Sequence, residues 1–380
     1  MADEHSTGGG GAESGGSAGG RAPGAVRRRV AAALVSATAG LVLLGGLGVG
    51  YLYLKLDGNI SGIDINAALG GDRPADTANG SLDILVMGSD SRAGDNARFG
   101  GADGGSARAD TAMIVHVNRE HDRASIVSIP RDTLVSRPRC ETGTDGTDDG
   151  EGGGDGTAPP APQAMFNESY QVGGPACAVK TVERMTDIRM DHYVEVDFTG
   201  FRDLVDTLGG VDVTVRQPIR DRDSHLTLSA GTHTLDGEQS LGLVRTRHAV
   251  GDGSDLGRIR LQQAFVRALV DQVDSVGLFG DPKRLFDLAD TATSALTTDS
   301  ELDSVGDLTG LAKTLKGIGS SDIRMVTMPV EYDPADPNRV LPVDRKARQV
   351  WAALRADRPI PRAATADTAG GEGDAEGVVR

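Results

Sequence analysis

The run Ile84-Leu85-Val86-Met87-Gly88-Ser89-Asp90-Ser91-Arg92, a Gly-rich stretch, and then Arg108-Ala109-Asp110-Thr111 decide how this chain is read. The apolar residues end abruptly at Gly88 and polar groups follow at once. A buried strand that delivers a site at its carboxyl end has this form. Asp90 and Asp110 are hard oxygen ligands of the kind a divalent cation takes. Arg92 and Arg108 carry forked donors suited to phosphate oxygens.

Outward from this stretch, Ala109 to Asn118 is read as a second strand, filled by Met113, Ile114, Val115 and Val117. Ala124 to Ile129 is a third and ends in Pro130-Arg131-Asp132. Successive strands ending in charged turns predict a sheet with its site along one edge. His116, inside a strand, reads as a tolerated core or surface residue rather than a ligand. Phe198 to Leu208 has helical apolar spacing and is stopped by Gly209-Gly210. Val211 to Val215 reads as a strand, Leu226–Leu228 with Gly231–Leu235 as a hairpin, and Gly237 to Leu243 as a short helix. Val244-Arg245-Thr246-Arg247-His248 is then read as extended, which puts Arg245 and Arg247 on one side. Such a pair repels itself unless an anion sits between. Asp255 opens a helix on which Arg258 and Gln262 lie one turn apart, near an amino end that favours an anion. Further helices are expected at 283–296, 300–316 and 345–354, and a strand at 323–329.

The chain has 380 residues and a net charge of −16, which argues against a nucleic-acid partner. Aromatics at 3% leave no base-stacking platform. Against this acidic background arginines cluster around 92–139 and 245–260, a pattern that fits a compact anion. The Gly-rich residues 1–29 are expected to be a disordered cytoplasmic tail. Residues 30–54 carry no charge and would span roughly 37 Å as a helix, enough to cross a bilayer. Tyr51 and Tyr53 fit an interfacial belt, and the Arg27-Arg28-Arg29 triplet predicts a cytoplasmic amino terminus and an external remainder. The run is too long for an ordinary cleaved signal and lacks an Ala-x-Ala site. Residues 55–80 read as a linker or a short peripheral hairpin, 81–362 as one external domain, and 363–380 as a disordered tail. The only cysteines, Cys140 and Cys177, flank a Gly/Asp/Thr insertion at 141–161. In an external domain a disulfide closing this loop is expected, worth about 3–4 kcal/mol in the chain-entropy model; the alternative is two free thiols.

Seven sequence words together resemble the LytR–CpsA–Psr family, which attaches glycopolymers to the bacterial cell wall. They are Gly88-Ser89-Asp90-Ser91-Arg92, Arg108-Ala109-Asp110-Thr111, Ser128-Ile129-Pro130-Arg131-Asp132-Thr133, Gly209-Gly210-Val211-Asp212-Val213, Leu235-Asp236-Gly237-Glu238, Val244-Arg245-Thr246-Arg247-His248, and Asp255-Leu256-Gly257-Arg258 with Gln262-Gln263. They stand in the family's order over residues 81–275, after a single hydrophobic run. The resemblance implies an α/β/α sandwich around a mixed central sheet, preceded by one transmembrane helix. It implies transfer of a glycosyl phosphate from a polyprenyl-pyrophosphate-linked glycan to a peptidoglycan hydroxyl. Asp90 and Asp110 match positions linked to Mg2+ (or Mn2+). Arg92, Arg108, Arg131, Arg245, Arg247, Arg258 and Gln262 match positions in or near the pyrophosphate site. Arg131 is expected to contact the scissile phosphate, and Asp90 or Asp110 to take the proton of the incoming hydroxyl. The insertion at 141–161 departs from the family, and Met165-Phe166-Asn167 replaces its Lys-Leu-Asn word, keeping only Asn167. Two other readings share these residues: a hydrolase of the same lipid pyrophosphate, and a non-catalytic lipid-binding or regulatory module.

Overall fold

The Ile84 strand occupies the middle of a seven-stranded mixed sheet in a computed structural model. The structure describes residues 50–71, 73–77, 79–89, 109–142, 156–247, 255–275 and 281–371. In chain order the elements are β1 (Ser61–Ile63), α1 (Ile65–Leu69), β2 (Leu82–Ser89), β3 (Ala109–Val117), β4 (Ala124–Ser128), β5 (Leu134–Arg137), β6 (Cys140–Glu141), β7 (Thr157–Ala158) and β8 (Ala161–Met165). Next come α2 (Phe166–Thr186), β9 (His192–Asp197), α3 (Phe198–Leu208), β10 (Val211–Val215), β11 (Ile219–Asp221), β12 (Leu226–Leu228), β13 (Gly231–Leu235), α4 (Gly237–Arg245) and α5 (Asp255–Ser275). The last are α6 (Pro282–Ala295), β14 (Leu296–Asp299), α7 (Val305–Leu315), β15 (Ile323–Thr327), β16 (Val330–Tyr332), β17 (Val340–Pro342), α8 (Asp344–Arg355) and α9 (Arg362–Thr365).

The sheet order is β1-β14-β9-β2-β3-β4-β15. β2 runs parallel to β9 and antiparallel to β3, and β3 is antiparallel to β4. Alternation along each strand sends neighbours to opposite faces. Leu85, Met87, Ile114 and Val127 share one buried cluster with Val179 and Val182 of α2 and with Val350 and Trp351 of α8. Met113, Ile126 and Met325 form another with Val266 of α5. Helices therefore cover both faces of a mixed sheet. A separate core of Val205, Val211, Val213, Leu235, Leu243, Leu261 and Phe265 joins α3, α4 and α5 to the smaller β10/β13 pair.

The topology gathers the predicted words at one sheet end. Ser89, at the carboxyl end of β2, pairs with Ala109 at the start of β3, across a register shift after Gly88. β4 returns antiparallel to β3, so the Pro130-Arg131-Asp132 turn emerges beside Asp110.

Several expectations are corrected. The stretch expected as a linker at 55–80 supplies β1, which pairs with β14 at the sheet edge, and α1, with Ile65 and Leu69 buried. Arg73 of this stretch makes a buried ion pair to Glu183 at 2.6 Å and donates to the Met190 carbonyl. β12 and β13 do not form a hairpin with each other: β12 pairs with β11, and β13 with β10. The Asp221 carboxylate explains this, since it accepts the backbone N–H groups of Asp223 and Ser224 and closes the turn between β11 and β12. The helix expected over 300–316 begins only at Val305, capped by Ser304, because Leu296–Asp299 pairs into the sheet. Part of the expected tail is packed: Ala364 and Thr365 are buried, and the Ala369 N–H donates to the Val330 carbonyl. Cys140 and Cys177 form the disulfide. The 30–49 part of the expected membrane span lies outside the described residues, among which no helix is long and apolar enough to cross a membrane.

Candidate active site

Asp110 stands at the centre of the gathered words. Its Oδ1 accepts from Arg131 Nη1 at 2.5 Å, with Arg247 Nη2 at 3.7 Å and Arg258 Nη1 at 3.9 Å. Arg258, almost fully buried, also donates to the Asp110 carbonyl at 2.9 Å and pairs with Asp255. Asp255 accepts the Arg131 backbone N–H at 3.3 Å, so one carboxylate at the start of α5 holds both arginines. One turn on, Gln262 donates to Thr111 Oγ1 at 2.9 Å and to the Val244 carbonyl at 3.1 Å. The expected pairing of Arg258 and Gln262 on one helical face is what brings α5 onto β3.

Burial raises a carboxyl pKa and neighbouring cations lower it. For Asp110 burial is the largest influence, yet the guanidiniums of Arg258, Arg131 and Arg247 together outweigh it and hold the group below its ordinary value. Asp255 goes the other way: burial pushes it up, only partly offset by Arg258 and Arg131. Arg247 is lowered by burial and then by the charges of Arg258 and Arg131. Cations packed this closely are favoured by an added anion. The Nε donors of Arg131 and Arg258 are buried without a hydrogen-bond partner among the described residues, which is a further sign of unsatisfied donor capacity.

Beside this cluster lies a cavity of about 200 Å³ lined by Asp110, Thr111, Phe198, Asp221, Arg245, Arg247, Arg258 and Gln262, among others. Four of the expected phosphate contacts, Arg245, Arg247, Arg258 and Gln262, thus line one space. Arg131 does not line it but stands behind Asp110, engaged with that carboxylate. Asp90, Arg92 and Arg108 lie outside the described residues. The neighbouring register places the chain end that precedes Asp90 against the Asp110 strand.

One derivation from the sequence fails although its residues are right. Arg245 and Arg247 are not on a strand; α4 continues to Arg245 and Thr246 ends it. A reciprocal capping box between Asp236 and Gln239 starts α4, and Leu241 and Leu243 bury its apolar side. Arg245 then reaches the cavity by lying over the Phe198 ring, 5.0 Å from its centroid, and Arg247 by its backbone N–H bond to Asp221 at 3.0 Å. Gly237 is required for this placement. A Cβ there would meet the Arg202 carbonyl at 2.3 Å, so only glycine lets α4 lie this close to α3.

Sequence reasoning missed Phe198, Asp221, Asp223 and Ser224 as cavity residues, and it named Asp255 only as part of a word. Phe198 opens α3 and Asp221 closes a strand, and neither position is distinguishable by residue type from an ordinary core or turn. It also missed Glu195, buried on β9, which accepts from Tyr170 at 2.7 Å and Tyr193 at 2.5 Å. Tyr170 in turn lies 3.4 Å from Ser89, so this network supports the end of β2.

Residues 52–356 match the model of the LytR_cpsA_psr family. The chain is 33% identical over 302 residues to a probable cell wall biosynthesis protein, LcpB, of Corynebacterium glutamicum; the match covers 77% of this chain and 66% of that protein. It is 30% identical over 318 residues to the polyisoprenyl-teichoic acid–peptidoglycan teichoic acid transferase TagT of Bacillus subtilis, covering 81% and 87%. Among solved structures, TagT bound to LIIa-WTA superposes with a TM-score of 0.54 at 28% identity, covering 76% of this chain and 94% of that one. With the sheet, the arginine-ringed carboxylate and the matched span in agreement, the chain belongs to the LytR–CpsA–Psr family.

Proposed function

We propose that this chain is a membrane-anchored phosphotransferase that moves a glycopolymer, as a glycosyl phosphate, from a polyprenyl-pyrophosphate carrier to a peptidoglycan hydroxyl. The observation that carries the reading is the cavity walled by Arg245, Arg247, Arg258 and Gln262 beside the Asp110 carboxylate. TagT, a relative, is named as a transferase of this kind. The acceptor hydroxyl oxygen forms a new bond to the glycan-side phosphorus and gives up its proton to solvent, while the bridging P–O bond breaks and polyprenyl phosphate leaves with the electron pair. Phosphoryl transfer of this type needs charge neutralisation and positioning more than a protein nucleophile. Arg245, Arg247 and Arg258 neutralise the phosphate oxygens. Arg131 contributes by fixing the charge and orientation of Asp110.

Asp90 and Asp110 are the residues that would hold a divalent cation, Mg2+ (or Mn2+), as the sequence words imply. Asp110 fits one ligand position: its contacts with described cations fall on Oδ1, and those cations keep it ionised. Such an ion would supply further neutralisation of phosphate charge. The same lowered pKa makes Asp110 a weak proton acceptor. The uncharged run at 30–54 supports a single-pass anchor with the amino terminus cytoplasmic and the domain outside, facing a substrate held in the same membrane.

The test is incubation of the purified full-length protein with lipid-linked glycan and peptidoglycan fragments. A phosphodiester-linked product is expected, lost in Arg131→Ala with the fold intact. Release of glycan phosphate without ligated product would replace the transferase reading by the hydrolase one.

A further inference from the structure

The domain begins at one fixed place. Lys55, the first charged residue after the uncharged run at 30–54, pairs with Asp290 of α6 at 2.5 Å and sets its ammonium 5.3 Å from the centre of the Phe286 ring. Asp57 accepts the backbone N–H of Val305, the first residue of α7, at 3.0 Å. Asn59 donates to Asp290 at 2.8 Å and to Thr293 at 3.3 Å. β1 follows at once as the edge strand of the sheet. Lys55 to Asn59 is therefore bound to α6 and α7, not left as a free tether.

We propose that α6 and α7 form a bilayer-contacting face, by which the domain rests on the lipid headgroups along its β1 edge. The inference rests on the anchor reading and adds to it the surface of the domain that meets the membrane. Three features carry it.

The first is an apolar stripe that the core leaves half-covered. On α7, Val305, Leu308, Leu311 and Leu315 recur at steps of three and four, which sets them along one side. A helix on a protein surface ordinarily buries such a stripe. α8 does so, with Ala347, Val350, Trp351 and Leu354 all buried. No residue of α7 is buried. α6 is buried only at Thr293 and Ala295, near its end, and its Leu285 is 39% exposed. Part-covered leucines on two helices beside the same five residues form a patch that calls for a further apolar partner.

The second is charge. On α6, Lys283 and Arg284 offset Asp287 and Asp290; on α7, Lys313 offsets Asp307. Two neutral helices on a chain of net charge −16 make a face that anionic headgroups do not repel. Lysine and arginine stems can lie over apolar surface while their charged ends reach the headgroups.

The third is position, and it selects lipid over a second protein. A membrane span ends at headgroup level, so Lys55 marks that level. The start of α7 is hydrogen-bonded two residues beyond it, at Asp57. An amphipathic helix that starts there lies in the interfacial plane.

This contact fixes where the site stands. Ser61, Thr297, Glu195, Met87 and Ala112 form one row across β1, β14, β9, β2 and β3. The strand that carries Asp110 is thus held four strand spacings from the bilayer-facing edge, about 19 Å at about 4.8 Å each.

The test uses full-length protein in vesicles of phosphatidylglycerol and phosphatidylcholine, with and without phosphatidylcholine spin-labelled at a shallow or a deep acyl position. An environment-sensitive fluorophore is attached through Leu285→Cys, Leu311→Cys, Leu43→Cys or Ala335→Cys, one at a time. Cys140 and Cys177 are joined, so the new thiol takes the label. Leu43 lies in the uncharged run and reports the anchor. Ala335, exposed on the loop after β16, follows the opposite edge strand, β15, and is the control. Labels at Leu285 and Leu311 should be quenched by the shallow spin label at least threefold more than the label at Ala335. Quenching at Leu43 with Leu285 and Leu311 no different from Ala335 overturns the proposal and leaves the anchor standing. Blue-shifted emission at Leu311 without lipid quenching also overturns it, since protein would then cover the stripe. Quenching at Leu285 and Leu311 with none at Leu43 removes the anchor and keeps the face, and no quenching at any position overturns both.

Discussion

Asp110→Asn isolates the electrostatic role of the central carboxylate, because it removes one charge and keeps the shape. The carboxylate lies 2.5 Å from Arg131, 3.7 Å from Arg247 and 3.9 Å from Arg258. Two unit charges about 6 Å apart interact by roughly 3 kcal/mol at an effective dielectric of about 20, and ionic screening at the cavity mouth reduces this by about half. Without a divalent cation, Asp110 repels an incoming pyrophosphate and competes with it for the guanidiniums. Removing the charge should therefore tighten pyrophosphate binding in chelator by about tenfold, the equivalent of about 1.4 kcal/mol. The free protein should lose stability at the same time. Breaking a fully buried pair costs about 3–5 kcal/mol. Asp110 and Arg131 keep 20% and 18% side-chain exposure, which brings the expected loss down to about 2 kcal/mol. The acid limb follows as well. The folded Asp110 pKa lies below its ordinary value, so its contribution is complete above about pH 4 and is lost as pH falls through the folded value. Calorimetric titration and thermal melts in chelator, from pH 3 to pH 7, read all three effects. A folded Asp110→Asn protein whose pyrophosphate affinity is unchanged or weaker would refute the reasoning, since the carboxylate would then not be competing with the anion.

Further outcomes follow from elements away from the cavity wall. His116 lies between Asp83 at 2.8 Å and Asp357 at 3.2 Å, and donating to both requires the imidazolium; despite burial, these partners raise its pKa. Its contribution is therefore complete below about pH 6.5 and is lost as pH rises through the higher folded value, so His116→Gln should lower the melting temperature more at pH 6 than at pH 9. An equal drop at both values counts against the paired imidazolium. Reducing Cys140–Cys177, which closes a separation of 37 residues, should lower stability by about 3–4 kcal/mol in denaturant melts; identical reduced and oxidised curves would show that the insertion already restricts the unfolded chain. Gly237→Ala should cost about 1–3 kcal/mol by wedging α4 off α3, and should weaken pyrophosphate binding because Arg245 rides on α4. Loss of stability with pyrophosphate affinity intact would separate that packing from the site.

The central strands could be read from residues alone because their patterns are one-sided. Leu82–Ser89, Ala109–Val117 and Ala124–Ser128 are apolar runs bounded by charged turns, and the structure keeps their bounds within a residue or two. The same holds for α3, where Asp197 caps the amino end and Gly209, with φ 86°, ends the helix. Pattern fails where two structures share one period over a short run. Val244–Arg247 alternates like a strand, yet the capping box opening at Asp236, eight residues before Val244, commits the chain to a helix that runs into it. It fails again where pairing is decided by a single carboxylate, as at Asp221, since no local spacing tells which of two short strands will be the partner. The arginines are legible because they cluster on an otherwise acidic chain. Phe198, Asp221 and Ser224 were not, because each has an ordinary structural use as well as its place in the cavity.

The charge of the whole chain and the arginines of the site pull in opposite directions, and the proposed substrate reconciles them. A net charge of −16 repels a free polyanion at long range. Around Asp110 cations are gathered at contact range, with Arg131, Arg247 and Arg258 all within 4 Å of one carboxylate oxygen. An enzyme that had to capture a soluble pyrophosphate from solution would gain from a steering field of the same sign as its site. An enzyme tethered beside a tethered substrate needs no such field, because encounter occurs in the plane of the membrane and only contact-range cations count. The acidic surface then favours a site reached by one anion held close and passed over by the free phosphates around it.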